Sequence, residues 1–333
     1  MNIIPEVITP PSTTPSVNVF GCGGAGINLL RSVTAYLSTR NTKYRYIDTS
    51  YANIHPGEEI IVIQGEGSGL VRSHNATPIL QKLTKLTDEE LNLSDINIVL
   101  FSMSGGSGSV VAPLLIRELH RRGKLVIAMT VTSSQSQKHT ENTLKTLKSL
   151  ENDAASYNIY LPICIFNNRF GQGLVDKVFA HKLERLVDLL TLPTAELDKT
   201  DRLHWLNAQK TIGAAPGLRL LHVSSYDNLD VQASEVELQC GDDDYIYDSI
   251  ISIRTPSARN ETLPKARIMF EGVFTTVTLS PMFGIIGNPP NTFDSLVKHI
   301  DDTLLQYKSQ VFRKHTVVNV DDSDIDPDSG LVL

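Results

Sequence analysis

The sequence predicts an α/β fold with a mainly parallel sheet, a central helix and a smaller α+β unit behind it. Three observations carry this reading. Apolar runs of strand length recur at 17–20, 44–47, 60–63, 96–101, 124–131 and 161–166. Small-residue turns follow several of them and lead into helical patterns, the rhythm of an open α/β domain. From about residue 217 that rhythm gives way to clustered short strands and one last amphipathic helix.

The stretch 101–110, FSMSGGSGSV, organises the chain. It joins the buried strand 96–101 to a helix over 110–119. Ser104, Gly105, Gly106, Ser107, Gly108 and Ser109 therefore occupy a strand-to-helix turn, where backbone N–H groups and a helix N-terminus suit a phosphate chain.

The elements follow in order. Residues 1–16 carry Pro5, Pro10, Pro11 and Pro15, which read as an extended or flexible arm. A strand at 17–20 leads to Gly21, Cys22, Gly23, Gly24, Ala25 and Gly26, then to a helix over 27–33 containing Asn28. Glycines 21, 23 and 26 satisfy G-x-G-x-x-G, and Asp48 ends the next strand. An acid there is what a dinucleotide domain uses for a ribose, so an NAD(P)-dependent oxidoreductase is one reading.

A second reading is favoured. Gly67, Ser68 and Gly69 form a third small-residue turn, at 65–69, between the other two. Three loops converging at the C-terminal strand ends suit a nucleoside triphosphate better than a pyrophosphate alone. G-x-x-x-x-G-K-[ST] is absent, so the chain is not a P-loop NTPase. Without a loop lysine, phosphate charge must be met by backbone dipoles and a metal ion.

Beyond the strand 124–131, a polar loop at 132–138 precedes an amphipathic helix over 141–150, starting at Glu141. The strand 161–166 ends in Asn167 and Asn168. Leu174, Val175, Val178, Phe179, Leu183, Leu186, Val187 and Leu190 then fall at helical spacing, and Pro193 stops that helix. Strands are expected at 218–223, 249–254, 266–273 and 275–285, with a helix from Thr292 capped by Asn291. The tail holds Asp321, Asp322, Asp324, Asp326 and Asp328 without lysine or arginine among them, then Leu331, Val332 and Leu333. The resulting units are an arm at 1–16, a nucleotide domain at 17–173, a central helix and loop at 174–206, an α+β domain at 207–312 and a tail at 313–333.

Composition narrows the classes further. A chain with 41% hydrophobic and 20% charged residues reads as globular. No stretch is apolar for long enough to cross a bilayer, and no signal pattern opens the chain. A net charge of −7 argues against nucleic-acid binding through phosphates. Cys22, Cys164 and Cys240 lack metal-ligand spacing and fit a reducing compartment.

With these residues laid out, the chain resembles the tubulin/FtsZ superfamily of GTPases, and more narrowly the bacteriophage-encoded tubulins of the PhuZ type. The loop 104–109 is similar to the superfamily's signature loop, and Gly21–Gly26 to its first nucleotide loop. The acidic, aliphatic-ended tail is similar to that of the phage proteins. The resemblance implies a Rossmann-like GTPase domain, GTP/GDP and Mg²⁺, and head-to-tail filaments. It implies that the tail docks on the adjacent subunit, with no direct nucleic acid and no membrane as partner. The implied setting is the cytoplasm of an infected bacterium, with filaments that position phage DNA or its compartment. The segment 195–205 is similar to the loop that completes the neighbour's nucleotide site, which makes Asp198 and Asp201 the catalytic acids. Asp176 falls at the guanine contact, and Asn167 or Asn168 at a second base contact. Glu141 is a ribose-side candidate. Ser50 stands where some relatives carry an acid near the metal, so the metal ligands stay unassigned.

Overall fold

The computed structural model describes residues 14–40, 42–63, 76–168, 171–225, 237, 246–254, 265–270, 273–287 and 292–316. Residues 1–13 of the proline-rich arm, the turn with Gly67, Ser68 and Gly69, Cys240, Asn291 and residues 317–333 of the tail lie outside the described residues.

Eleven strands form one sheet. They are β1 (Val17–Cys22), β2 (Thr42–Asp48), β3 (Ile60–Val62), β4 (Ile96–Ser102), β5 (Leu125–Thr132), β6 (Tyr160–Asn167), β7 (Gly217–Ser224), β8 (Ile246–Ile253), β9 (Lys265–Phe270), β10 (Val273–Thr278) and β11 (Met282–Gly287). Their order is β10-β9-β8-β11-β7-β6-β5-β4-β1-β2-β3. From β3 to β7 every pairing is parallel. Strand β11 then pairs antiparallel with both β7 and β8. Every residue of β1 and β4 is buried, as expected for central parallel strands covered on both faces.

The helices are α1 (Gly23–Leu37), α2 (Ala76–Lys85), α3 (Gly108–Arg121), α4 (Gln137–Ser156), α5 (Gln172–Thr191), α6 (Lys199–Leu206), α7 (Ala208–Ile212) and α8 (Thr292–Thr316). One core cluster packs α1 and α5 on the sheet through residues such as Leu30, Val33, Phe179, Leu183 and Leu186. The other packs α2, α3 and α4 through Leu83, Val111, Leu115 and Leu147. Helix α8 lies along α4. Its Ile300 is buried, and the Tyr307 hydroxyl donates to the Ser134 carbonyl at 2.6 Å.

Some boundaries differ from expectation for local reasons. β1 continues through Gly21 and Cys22, so the turn into α1 is tighter than the glycine count suggests. Gly23 begins α1 at φ +68°, a backbone state that glycine adopts freely. The expected strand 275–285 is two strands, β10 and β11, because Ser280-Pro281 interrupts it. The ten-residue helix α2 was not anticipated; its stripe reduces to Ile79 and Leu83 as buried residues.

Gly26 shows how tightly α1 sits on the sheet. A Cβ there would overlap the Leu100 carbonyl of β4, which is backbone and cannot rotate away. Gly26→Ala is expected to lower stability by about 1–3 kcal/mol, the usual cost of overpacking. Thermal unfolding with and without nucleotide checks this, and an unchanged melting temperature would contradict the packing.

Candidate functional site

The C-terminal ends of the parallel strands place the β1–α1 and β4–α3 turns side by side. A Cβ on Gly23 would lie 2.5 Å from the Gly108 amide nitrogen, and one on Gly108 would lie 2.7 Å from the Cys22 carbonyl oxygen. Two helix N-termini thus meet backbone to backbone. Neither Cys22 nor Ser107, their N-cap residues, makes a side-chain cap hydrogen bond, and neither first turn carries an acid. Two uncapped positive helix ends in contact repel each other unless an anion sits before them.

Buried polar groups hold the β4–α3 loop open. Asn142 of α4 donates to the carbonyls of Ser104 and Gly105 at 3.2 and 3.3 Å. Thr146, one turn on, donates to the Met103 carbonyl at 2.9 Å. The Ser104 and Ser102 hydroxyls lie 2.9 Å apart, and the Ser109 hydroxyl donates to the Gly106 carbonyl at 3.0 Å. Gly105 has nothing nearer than 3.9 Å to a would-be Cβ, so its exposed side faces space.

Beside this loop runs a cleft of about 210 Å³. Asn28 of α1, Ser104, His139 of α4, Asn168, and Gln172 and Asp176 of α5 line it. Asp176 is half-buried, and burial raises its carboxyl above the usual range while a hydrogen bond from Gln172 opposes that. The Asn168 side-chain oxygen is buried without a hydrogen-bond partner. Asn167 instead lines a separate small cavity with Leu296 and Ile300 of α8. The cleft therefore brings Asn28, Ser104, Asn168 and Asp176 together and leaves Asn167 outside.

Other expected residues serve the walls. Gly21 and Gly26 let α1 cross β1 and β4 closely. Gly24 stands against the Asn53 side chain. The Cys22 thiol is fully buried, and burial, with Asp48 nearby, pushes it well up; it offers no thiolate. Asp48 is 1% exposed, accepting from the Thr49 amide at 2.7 Å and the Asn53 amide side chain at 3.0 Å. It holds its own loop, which removes the ribose acceptor that the oxidoreductase reading needs. The Ser107 hydroxyl lies 2.6 Å from that of Thr49. Glu141 accepts from Gln137 at 2.9 Å and does not line the cleft.

Sequence reasoning missed Asn142, Thr146, His139, Gln172 and Arg31. Asn142 and Thr146 carried a signal, being polar residues four apart on the same side of a helix as Leu147 and Leu150. Arg31 grips Glu58 through Nε at 2.7 Å and Nη2 at 2.8 Å, and also holds the Asn53 carbonyl and the Asn28 side chain. It pins the loop after β2 to α1, and it holds the Glu58 carboxyl down at about 2.

Asp198 and Asp201 lie at the other pole. Helix α5 begins at the cleft and spans about 30 Å at 1.5 Å per residue. Beyond it, Asp198 caps α6, accepting from the Asp201 amide at 2.9 Å, while Asp201 accepts from the Asp198 amide at 3.0 Å. Both side chains are exposed. Lys199 pairs with Asp95 at 2.8 Å, and Asp95 precedes β4, whose far end, Ser102, lines the cleft. The same Asp95 oxygen accepts from the Ser16 amide and hydroxyl, so the chain enters β1 beside α6.

Comparison with known proteins supplies the family. Residues 16–169 match the description "Tubulin/FtsZ family, GTPase domain". A phage tubulin-like protein of Pseudomonas phage PhiPA3 is 28% identical over 214 residues, covering 62% of this chain and 66% of that relative. Among solved structures, the phage tubulin PhuZ with GDP superposes with a TM-score of 0.71 at 19% identity, over 97% of this chain and 100% of that one. A protofilament of TubZ from bacteriophage PhiKZ gives 0.69 at 24% identity, over 95% and 99%. The loops, the uncapped helix ends and the cleft all belong to the matched segment or adjoin it. Residues 16–169 form a GTPase domain of the tubulin/FtsZ family.

Proposed function

We propose that this chain binds GTP in the cleft and polymerises head to tail, each subunit's Asp198 and Asp201 completing the GTP site of the next. The observation that carries the reading is the separation of the two halves. The phosphate-type loops and the acids lie at opposite poles of the same α5, too far apart to act together within one subunit. Stacking one subunit's α6 pole on the cleft of another joins them. The solved protofilament of TubZ supports such an assembly here.

In this arrangement the backbone N–H groups opening α1 and α3, with Gly105 and Gly106, cradle the phosphates. Asp176 accepts from guanine N1 and N2, and Asn168 supplies its unpartnered oxygen to the base edge. The exposed carboxylates orient and polarise the attacking water. No cluster of three His, Cys, Asp or Glu able to hold a metal ion occurs among the described residues. Mg²⁺ binds chiefly through phosphate oxygens and water. Such an ion would offset phosphate charge that no loop lysine meets. The acidic tail docks on the adjacent subunit, and the filaments position phage DNA or its compartment in the cytoplasm of the infected bacterium.

GTP hydrolysis measured across a protein-concentration series tests the reading. Turnover per subunit should rise once filaments sediment. Constant turnover from monomer to polymer would sink it. Base choice gives a second test. Asp176→Asn should weaken GTP binding about ten- to hundredfold, the worth of hydrogen bonds to a charged group, and should relax discrimination against xanthosine triphosphate. Unchanged preference in a competition binding assay would remove Asp176 from the site.

A further inference from the structure

Arg202 is the largest fully buried side chain among the described residues, with 0% of its surface exposed. It follows Asp201 directly, on the inner side of α6. Among the described residues no carboxylate lies within ion-pair distance of its guanidinium. Four carbonyls surround it instead. Nε donates to Leu189 at 2.8 Å and Nη2 to Leu192 at 2.6 Å. Nη1 donates to Leu197 at 2.8 Å and to Asp198 at 3.1 Å.

These acceptors fall into two sets. Leu189 and Leu192 close the last turn of α5, where carbonyls have no partner within the helix. Leu197 and Asp198 open α6, and Asp198 is the residue whose carboxylate faces outward. One planar side chain therefore ties the end of the central helix to the backbone of the capping residue. The planar, multi-donor guanidinium allows this; a lysine offers a single nitrogen. Burying an unpaired cation is costly, and desolvation pulls its proton affinity below the ordinary value, although Asp201 and Asp198 act in the other direction. The far end of α6 is fixed as well. Trp205 packs over Gly284 of β11, and its carbonyl accepts from the Ser249 hydroxyl at 2.8 Å.

We infer that Arg202 is a positioning residue for GTP hydrolysis, holding the Asp198–Asp201 pair at the angle in which their free oxygens meet the adjoining subunit's nucleotide. The inference rests on the reading that those acids act across the subunit junction. Within the capping box each carboxylate uses one oxygen on the other residue's amide. The direction of the second oxygen is then set by the backbone of 197–201, which Arg202 grips.

The test uses the full chain and measures phosphate release per sedimented subunit. Arg202→Met keeps much of the apolar stem, and Arg202→Lys keeps the charge. Both should retain binding of a fluorescent GTP analogue by the monomer. Both should lose turnover per polymerised subunit, by about ten- to hundredfold for the Met variant and less for the Lys variant, as small misplacement of a catalytic group does. Combined with Asp198→Asn, Arg202→Met should add almost nothing to the loss that Asp198→Asn causes alone, because the two act as one unit. Full turnover per polymerised subunit in Arg202→Met overturns the proposal, and so do fully additive losses. If both Arg202 variants lose nucleotide binding together with turnover, Arg202 serves folding alone and the proposal falls. Full turnover in Asp198→Asn by itself instead removes the acids from the reaction, a separate result that refutes the reading on which the inference rests.

Discussion

Asp198→Ala is expected to bind GTP normally and to lose about 10²–10⁴-fold in turnover, the range associated with a positioned acid or base. The cleft that binds nucleotide lies about 30 Å from Asp198 along α5, so binding by the monomer should not change. Asp198 also caps α6, and alanine removes that cap at a cost of about 1 kcal/mol. Asparagine caps as well as aspartate does but carries no charge. Asp198→Asn should therefore match the alanine variant in lost turnover and match the native chain in thermal stability. Filaments of either variant should outlive native ones if hydrolysis triggers disassembly. The decisive measurement is phosphate release against protein concentration. Full-rate hydrolysis by monomers below the assembly threshold would show that the acids do not act in trans.

Deleting residues 317–333 is expected to leave the GTP-binding core folded and to raise the critical concentration for assembly at least about tenfold, or ~1.4 kcal/mol per contact. Five aspartates within eight residues repel one another and gain order only against positive charge. Leu331, Val332 and Leu333 then add apolar anchorage. The course of α8 supports the direction. Tyr307 reaches Ser134, in the loop after β5, so α8 runs toward the cleft pole. Raising ionic strength from about 0.1 M to about 1 M shortens the screening length from about 10 Å to about 3 Å, and should weaken assembly of the intact chain. Sedimentation across protein concentrations checks both effects. An unchanged critical concentration in the truncated protein would make the tail a solubility segment only.

The sheet's parallel half was legible because buried parallel strands leave unbroken apolar runs, as at 96–101 and 124–131. The β4–α3 loop was legible because its glycines and serines sit between such a run and a helix. The end of β1 was harder to place. Gly21 and Cys22 look like loop residues, yet they are strand, since small side chains are what let α1 cross there. The split of 275–285 turned on Ser280-Pro281, a break that the apolar pattern on either side obscures. At the site, the β4–α3 loop could be named from type and spacing, and Asp176 only from the family resemblance. Asn142 and Thr146 left only their polar spacing on a helix, and Arg202 left nothing, because the backbone carbonyls that give them importance come within reach only in the folded chain. Asp198 and Asp201 were named from the family resemblance, and their mutual capping appears only with coordinates.

The clasp of Ser16, Asp95 and Lys199 bears on how this molecule can be watched. It fixes the start of the described chain beside α6, while α8 leaves toward the opposite pole. Ser16 and the last described turns of α8 thus lie at opposite poles, the two that meet in the proposed head-to-tail assembly. In that proposed assembly, a bulky group attached at either pole would sit at the junction between copies. The outer surface of α8 offers better ground for a reporter. Leu305 is 63% exposed there, and a small dye on a cysteine at that position would stand in solvent on the monomer. Cys22 and Cys164 are buried and would compete little for the label, and Cys240, outside the described residues, would be replaced by serine for this purpose.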